Sequence, residues 1–386
     1  MARFPKQPTL LIRARRSAPF LDGVIAESNA MGWRVINIAF GRDYIPSEVQ
    51  PVGAIIDSEP HESVISRLQE LDIPIVRVWR ALQDGFDADA VVMEDRRMAG
   101  RIAADAFAER GFKEFGYVTF PKGEEDELLL GFRERARKAH GASVHLLTLD
   151  SDGVSTADHY DRSVDTMAAW FAELPKPLAV LSFNFGMATR NLAACERAGF
   201  SVPEDVAIAC RGDDPQMCMT SQVPMSAVDT NQVELGRQAV QMVKRLASGK
   251  RPPRKPVLVP VKGFIARRST DILAVSDPTV AKAMRFIWDH LNRPLSVDDV
   301  AREVHSSRAT LERAFSRTLG RGINGELRRK RLEVCKELLR TTKMPLEAIA
   351  RSVGLTSRRH LHRTFKDSFK VTPQEYRKRE RSGSPK

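Results

Sequence analysis

Hydrophobic and polar positions follow two different rhythms along this chain. From residue 9 to residue 272, short apolar runs alternate with stretches in which apolar residues recur every three or four positions. The runs Thr9–Ala14, Trp33–Ala39, Val52–Asp57, Ile73–Val78, Val91–Met93 and Phe115–Phe120 predict strands. Phe20–Ala30, Val64–Leu71 and Met98–Arg110 predict the helices among them. A second series adds helices at Leu130–His140, Ser163–Leu174, Met187–Ala198 and Gln232–Ala247, and strands at Val144–Leu149, Leu178–Phe183, Val206–Cys210 and Val257–Val261. Strands alternating with helices imply parallel sheets covered on both faces. Two such series imply two α/β lobes, with a cleft where ligands bind near strand carboxyl ends.

Beyond Ser296 the pattern is helical, and it occurs twice. Val297, Val300, Ala301 and Val304 match Leu346, Ile349, Ala350 and Val353; Leu311, Phe315 and Leu319 match Leu361, Phe365 and Phe369. Each copy predicts a short helix, a turn and a second helix, over 296–319 and 345–369. Ala301 and Ala350 are small where two helices cross, and Gly354 suits a left-handed turn. Ser307 and Ser357 stand where an N-cap belongs. The buried stripe of each second helix leaves an outer face of Ser307, Arg308, Ala309, Glu312, Arg313 and Arg317 in one copy. In the other copy that face holds Ser357, Arg358, Arg359, Arg363 and Lys366. The second helix of a helix-turn-helix is the element that enters the major groove of DNA. The plainer alternative is a solvated helical hairpin pair, since charge runs are usually solvated faces.

Charge distribution supports the nucleic-acid reading. Residues 281–386 hold 26 Lys and Arg against 12 Asp and Glu, a net +14, whereas residues 1–280 carry a net −2. The whole positive excess of +12 therefore lies in the helical part, which points to a polyanion, duplex DNA rather than membrane. No apolar run is long enough for a membrane span. The N-terminus lacks the apolar stretch of a signal peptide, so a cytoplasmic location is expected. Cys195, Cys210, Cys218 and Cys335 show no C-x-x-C spacing and no pairing with histidine, which predicts buried free thiols and no metal.

The segment from Asp277 to Arg379 resembles the DNA-binding domain of the arabinose-regulator (AraC/XylS) family, with its two helix-turn-helix units joined by one long helix, here Ile323–Thr341. V-T-P-Q-E-Y-R at Val371–Arg377 resembles the family's closing element, and Thr372 and Glu375 have capping-box spacing around Pro373. Lys370 departs from it, standing where glycine is usual. The first 272 residues resemble the effector domain of the lactose-repressor family, which shares the fold of periplasmic sugar-binding proteins. The likeness is carried by V-V-M-E-D-R-R-M-A-G-R-I-A, by L-A-V-L-S-F-N-F-G-M-A with G-F-S-V-P-E-D-V-A-I-A-C-R-G-D-D, and by R-P-P…L-V-P-V…R-R-S-T. It implies three crossings between the lobes, with the helix at 232–247 returning to the first. An effector domain of this type ahead of a double helix-turn-helix is the arrangement of the bacterial xylose operon regulators, and the chain resembles that group over its full length.

The domains expected are an effector-binding domain of two α/β lobes (1–272) and an all-α DNA-binding domain (273–386). No G-x-S-x-G, Walker loop, G-x-G-x-x-G or H-E-x-x-H occurs, so no enzymatic activity and no cofactor are expected. An enzyme fused to a DNA-binding tail and a ligand-independent architectural protein are the alternatives. The resemblance implies that Asp213 accepts hydrogen bonds from sugar hydroxyls and that Asn184 also faces the cleft, with Asp214 beside them. Phe20 and Trp79 are aromatic candidates for stacking on a sugar face, although core packing suits either one. By this reading the loss of the Asp213 carboxylate removes the effector response and leaves the fold intact. Leu128 and Phe185 stand where relatives place a cleft arginine and a cleft aspartate. A standard pentose such as xylose is therefore expected to bind weakly. The partners expected are double-stranded DNA, a small effector of the sugar class, RNA polymerase and a second copy in a homodimer.

Overall fold

The computed structural model describes residues 7–14, 17–39, 45, 49–57, 62–78, 88–120, 126–150, 157–272 and 277–382. It separates into two units, Met1–Asp271 and Ile272–Lys386. The first unit begins with β1 (Thr9–Arg13), α1 (Ala18–Ala30), β2 (Arg34–Asn37), β3 (Pro51–Ile56), α2 (Glu62–Glu70), β4 (Ile75–Arg77) and β5 (Ala90–Glu94). It continues with α3 (Arg96–Ala108), β6 (Glu114–Thr119), α4 (Glu127–His140), β7 (Ser143–Thr148), α5 (Ala157–Glu173), β8 (Leu178–Ser182), α6 (Phe185–Arg197), β9 (Val206–Arg211), α7 (Pro215–Thr220) and β10 (Ser226–Asp229). It closes with α8 (Gln232–Ala247), β11 (Val257–Val259), β12 (Gly263–Ile265) and a 3-10 turn at Arg268–Thr270.

Two six-stranded sheets result, with strand orders β11-β5-β4-β3-β1-β2 and β12-β10-β9-β8-β6-β7. The pairs are parallel except β10 with β12. The core strands are buried end to end, as in T-L-L-I-R of β1 and L-A-V-L-S of β8. Continuous burial of this kind belongs to parallel sheets with helices on both faces. The chain crosses between lobes after β5, after β10 and after β11, and α8 packs on α1 in the first lobe. The predicted strands and helices correspond to these elements within three residues at their ends, except that α5 begins six residues before the predicted Ser163. The short elements α7, β10 and β12 have no counterpart in the sequence reading, because three to six residues are too few to show a period.

Helices α3 and α4 approach unusually closely. A Cβ on Gly100 would lie 2.1 Å from the Leu128 carbonyl oxygen, and one on Gly131 would lie 2.1 Å from that of Arg97. Only glycine allows this approach. It brings the N-terminal ends of both helices together, with Arg96 on one and Asp126 capping the other.

The second unit holds α9 (Pro278–Asp289), α10 (Val297–Glu303), α11 (Arg308–Leu319), α12 (Ile323–Thr341), α13 (Leu346–Ser352), α14 (Arg358–Phe369) and α15 (Pro373–Ser382). It has two cores. Val280, Ile287, Val300, Leu311 and Phe315 centre the first; Leu339, Ile349, Val353, Leu361 and Phe365 centre the second. The predicted joining helix is α12, from Ile323 to Thr341. Helix α9 was not foreseen as a separate element, although its N-cap Asp277 accepts from Thr279 and Val280 amides and Pro278 opens it.

Candidate DNA interface and effector cleft

The start of each second helix is fixed by its serine. Ser307 Oγ accepts from the Thr310 amide at 3.1 Å, and Ser357 Oγ from the His360 amide at 3.1 Å. Ser296 and Asp299 form a reciprocal capping box on α10. Thr372 and Glu375 do the same ahead of α15, at 2.7 and 3.2 Å. Such caps satisfy helix amides that would otherwise have no partner. The two turns differ in chemistry. Gly354 has φ +68° and is hemmed in by carbonyls of Leu291 and Arg293, whereas the first copy uses His305 at φ +52°.

The inner stripes, Leu311, Ala314 and Phe315 in α11 and Leu361, Thr364 and Phe365 in α14, are buried. Arg308, Ala309, Arg313, Arg317, Arg358, Arg359, Arg363 and Lys366 are all exposed, while Glu312 is half-buried. The two faces are electrostatically unequal. In α11, Arg308 lies 3.4 Å from Asp298, and Arg317 lies 3.6 Å from Asp277. Among the described residues, Arg358, Arg359, Arg363 and Lys366 of α14 make no ion pair.

A buried charge network anchors α12. Glu326 is fully buried and meets Arg321 Nε at 2.6 Å and Arg329 Nη2 at 2.5 Å. Burial alone would raise its carboxyl, but Arg329 and Arg321 outweigh that and hold it below the ordinary value.

In the first unit, charged residues end the apolar strands. Along the first sheet the carboxyl ends carry Glu94 (β5), Arg77 (β4), Asp57 (just past β3) and Arg13 (β1), alternating in sign. Arg211, at the end of β9 in the second lobe, pairs with Glu94, and its Nε donates to the Phe183 carbonyl at 3.0 Å. Arg96 Nη2 meets Asp126 Oδ2 at 2.6 Å. Tyr117 is fully buried within electrostatic reach of Arg96, Asp126 and Arg211, and among the described residues its hydroxyl has no hydrogen-bond partner. None of these positions was singled out from the sequence. The signal was there, since β1, β4, β5 and β9 are apolar runs that each end on a charge.

The sequence-based ligand candidates are dispersed. Asp213 is 5% exposed, and its carboxylate meets Arg267 Nη2 at 2.7 Å, both side chains buried. An aspartate in a buried ion pair is not removed without cost, so the expectation that Asp213→Ala spares the fold does not follow. Asn184 is exposed and caps α6, its Oδ1 accepting from the Met187 amide at 2.8 Å. Asp214 caps α7 through the amides of Gln216 and Met217. Phe20 is fully buried in the first-lobe core, a packing position. Leu128 is fully buried, and Phe185 opens α6 half-buried against the second-lobe core. Trp79 lies outside the described residues. All four cysteines are buried and free.

No helix among the described residues is long and apolar enough to cross a membrane. Residues 104–270 match the periplasmic binding protein-like domain family, and residues 300–379 match a helix-turn-helix domain family. The xylose operon regulatory protein of Escherichia coli K12 is 26% identical over 328 residues, covering 84% of this chain and 83% of that protein. Its counterpart in Haemophilus influenzae is 24% identical over 338 residues, covering 84% of each. The solved structure of a xylose-binding transcription activator shares the fold over 97% of this chain and 99% of its own, with a TM-score of 0.67 and 23% identity. With a two-lobed effector domain ahead of a double helix-turn-helix, the chain is a ligand-responsive DNA-binding transcription regulator, similar in domain order and sequence to the xylose operon regulatory proteins.

Proposed function

We propose that this regulator senses a small carbohydrate-class effector between the lobes of its first unit and reads DNA with α11 and α14 in successive major grooves. The observation that carries the reading is the pair of serine-capped helices with arginine-rich outer faces, joined by α12. Its 19 residues span about 28 Å at 1.5 Å per residue. One turn of DNA is about 34 Å, so helix width or a bend in the duplex makes up the difference. Arg313 and Arg363 sit at matching positions and are the base readers of this proposal; Arg308, Arg317, Arg358, Arg359 and Lys366 position the domain on phosphates, Ser307 and Ser357 set the helix starts, and Ala309 and Glu312 complete the reading face of α11.

The regulator acts as a homodimer in the cytoplasm, contacts RNA polymerase, and performs no catalysis. Effector binding changes the affinity for DNA because it favours one of two lobe arrangements over the other. In the cleft, Asn184 is the candidate that stays exposed, and Asp213 acts by holding Arg267. The test is quantitative footprinting of the full chain on its operator. Arg313→Ala and Arg363→Ala should each cost about 1–3 kcal/mol on the operator and much less on random DNA. Parental binding by both variants would refute the assignment.

A further inference from the structure

Among the described residues at the junction of the two lobes, two buried donors of one charged cluster have no hydrogen-bond partner, while the charged groups beside them are already paired. Asp213 is held by Arg267 at 2.7 Å, Glu94 by Arg211, and Asp126 by Arg96 at 2.6 Å. Asn184 Oδ1 and Asp214 Oδ1 cap helices. Phe185, which opens α6 half-buried, offers no acceptor. A sugar hydroxyl both donates and accepts, whereas an oxyanion only accepts and makes the shorter, stronger bond to a donor. The groups left over in this cluster are donors. Among the described residues, the Tyr117 hydroxyl is fully buried without a hydrogen-bond partner, and the Nε of Arg96 is buried without one. Both belong to the cluster that joins Arg96, Asp126, Arg211 and Glu94 across the lobe junction.

We infer that the effector is a small polyol carrying an oxyanion, a carboxylate or a phosphate, which Tyr117, Arg96 and Arg211 receive at the lobe junction. The inference rests on the proposed effector cleft and deepens it by naming the ligand's charge. Two features of the cluster favour the charge. Burial, and next the positive field of Arg211, hold the Arg96 guanidinium below its ordinary value, which an added anion relieves. Burial pushes the Tyr117 phenol well above its ordinary value, so the group keeps its proton and acts as a donor. Donors aimed at an oxyanion make shorter, stronger hydrogen bonds than donors to a hydroxyl.

The test is calorimetric titration of the full chain with matched neutral and acidic polyols: xylose with xylonate and xylose 5-phosphate, glucose with gluconate, galactose with galacturonate. At least one acid should bind tenfold or more tighter than its neutral parent. The carboxylate and phosphate arms tell which oxyanion the site prefers, and inorganic phosphate should not reproduce the binding, because the polyol supplies the remaining contacts. Tyr117→Phe is the diagnostic variant. It removes one unpartnered buried hydroxyl, so the free chain should melt at the same temperature or higher, while the acid binds at least threefold more weakly. Arg96→Met should narrow the gap between acid and parent to less than threefold. A neutral sugar that binds as tightly as its acid overturns the charge assignment and leaves the effector cleft standing. If no compound binds and none shifts DNA affinity, both this inference and the cleft reading fail.

Discussion

Truncating Asp213 tests how the cleft is built. In Asp213→Ala, the Arg267 guanidinium stays where 3% of its side chain is exposed. Its Nη1 still donates to the Met225 carbonyl at 2.8 Å, but the carboxylate at 2.7 Å is gone. Removing one partner of a buried pair costs about 3–5 kcal/mol, because the remaining charge stays buried without that carboxylate. With a urea slope of about 2–3 kcal/mol per molar for a unit of this size, the midpoint should fall by roughly 1–2 M. The assay is urea unfolding of the full chain, followed by tryptophan fluorescence. The double variant Asp213→Leu with Arg267→Met removes both charges and should recover most of the loss, since apolar replacement of a buried pair is often neutral. A single variant with a parental midpoint and no effector response would refute this reasoning. Asp213 would then touch the ligand directly, as the family resemblance implies.

Residues 272–386 expressed alone should bind DNA with affinity falling steeply as salt rises, because each neutralised phosphate releases counterions; residues 1–271 should not bind it. Removing charge from α14 (Arg358→Ala with Lys366→Ala) should flatten that salt slope more than Arg308→Ala with Arg317→Ala, whose arginines are already near Asp298 and Asp277. Lys370 caps α14 at φ +59°, a conformation that costs a non-glycine residue about 1–2 kcal/mol, so Lys370→Gly should raise the melting temperature of the second unit. Glu326 has a folded value depressed below its unfolded 4.5. Its contribution is therefore complete above about pH 4.5 and lost as pH falls through the lower folded value, and acid unfolding of the second unit should be less steep in Glu326→Gln.

The second unit was legible because its determinants are local. Each serine cap reaches three residues ahead, from Ser307 to Thr310 and from Ser357 to His360, and each buried stripe repeats within one helix. The Thr372–Glu375 capping box is local in the same way. The repeat doubled every signal, so α12 could be placed between the copies. The first turn shows the limit. His305 takes the left-handed conformation that Gly354 takes in the second copy, and no rule of composition marks a histidine for it. The fit of α3 against α4 was hidden for a related reason. Gly100 and Gly131 show as ordinary helix residues until each is set against the other helix's backbone.

The cleft was poorly legible because its chemistry is assembled over long separations. Glu94 and Arg211 are 117 residues apart and lie on strands of different sheets; Asp126 lies 30 residues from Arg96. Local pattern finds the end of a strand but cannot say which charge from another strand will meet it. A family resemblance can carry a residue's position to this chain, but it does not carry the position's surroundings. Asp213 matches in R-G-D-D, yet Arg267 takes its carboxylate, and Asn184 matches at the end of β8, yet its oxygen caps α6. An acceptor in use is chemically different from one that is free. Inheritance of a motif therefore fixes where ligands can approach, while the pairing of each donor and acceptor fixes which ligand is received. Among the described residues those pairings leave the Tyr117 hydroxyl and Arg96 Nε over, so with the effector site proposed here the specificity should follow these donors rather than the inherited motif.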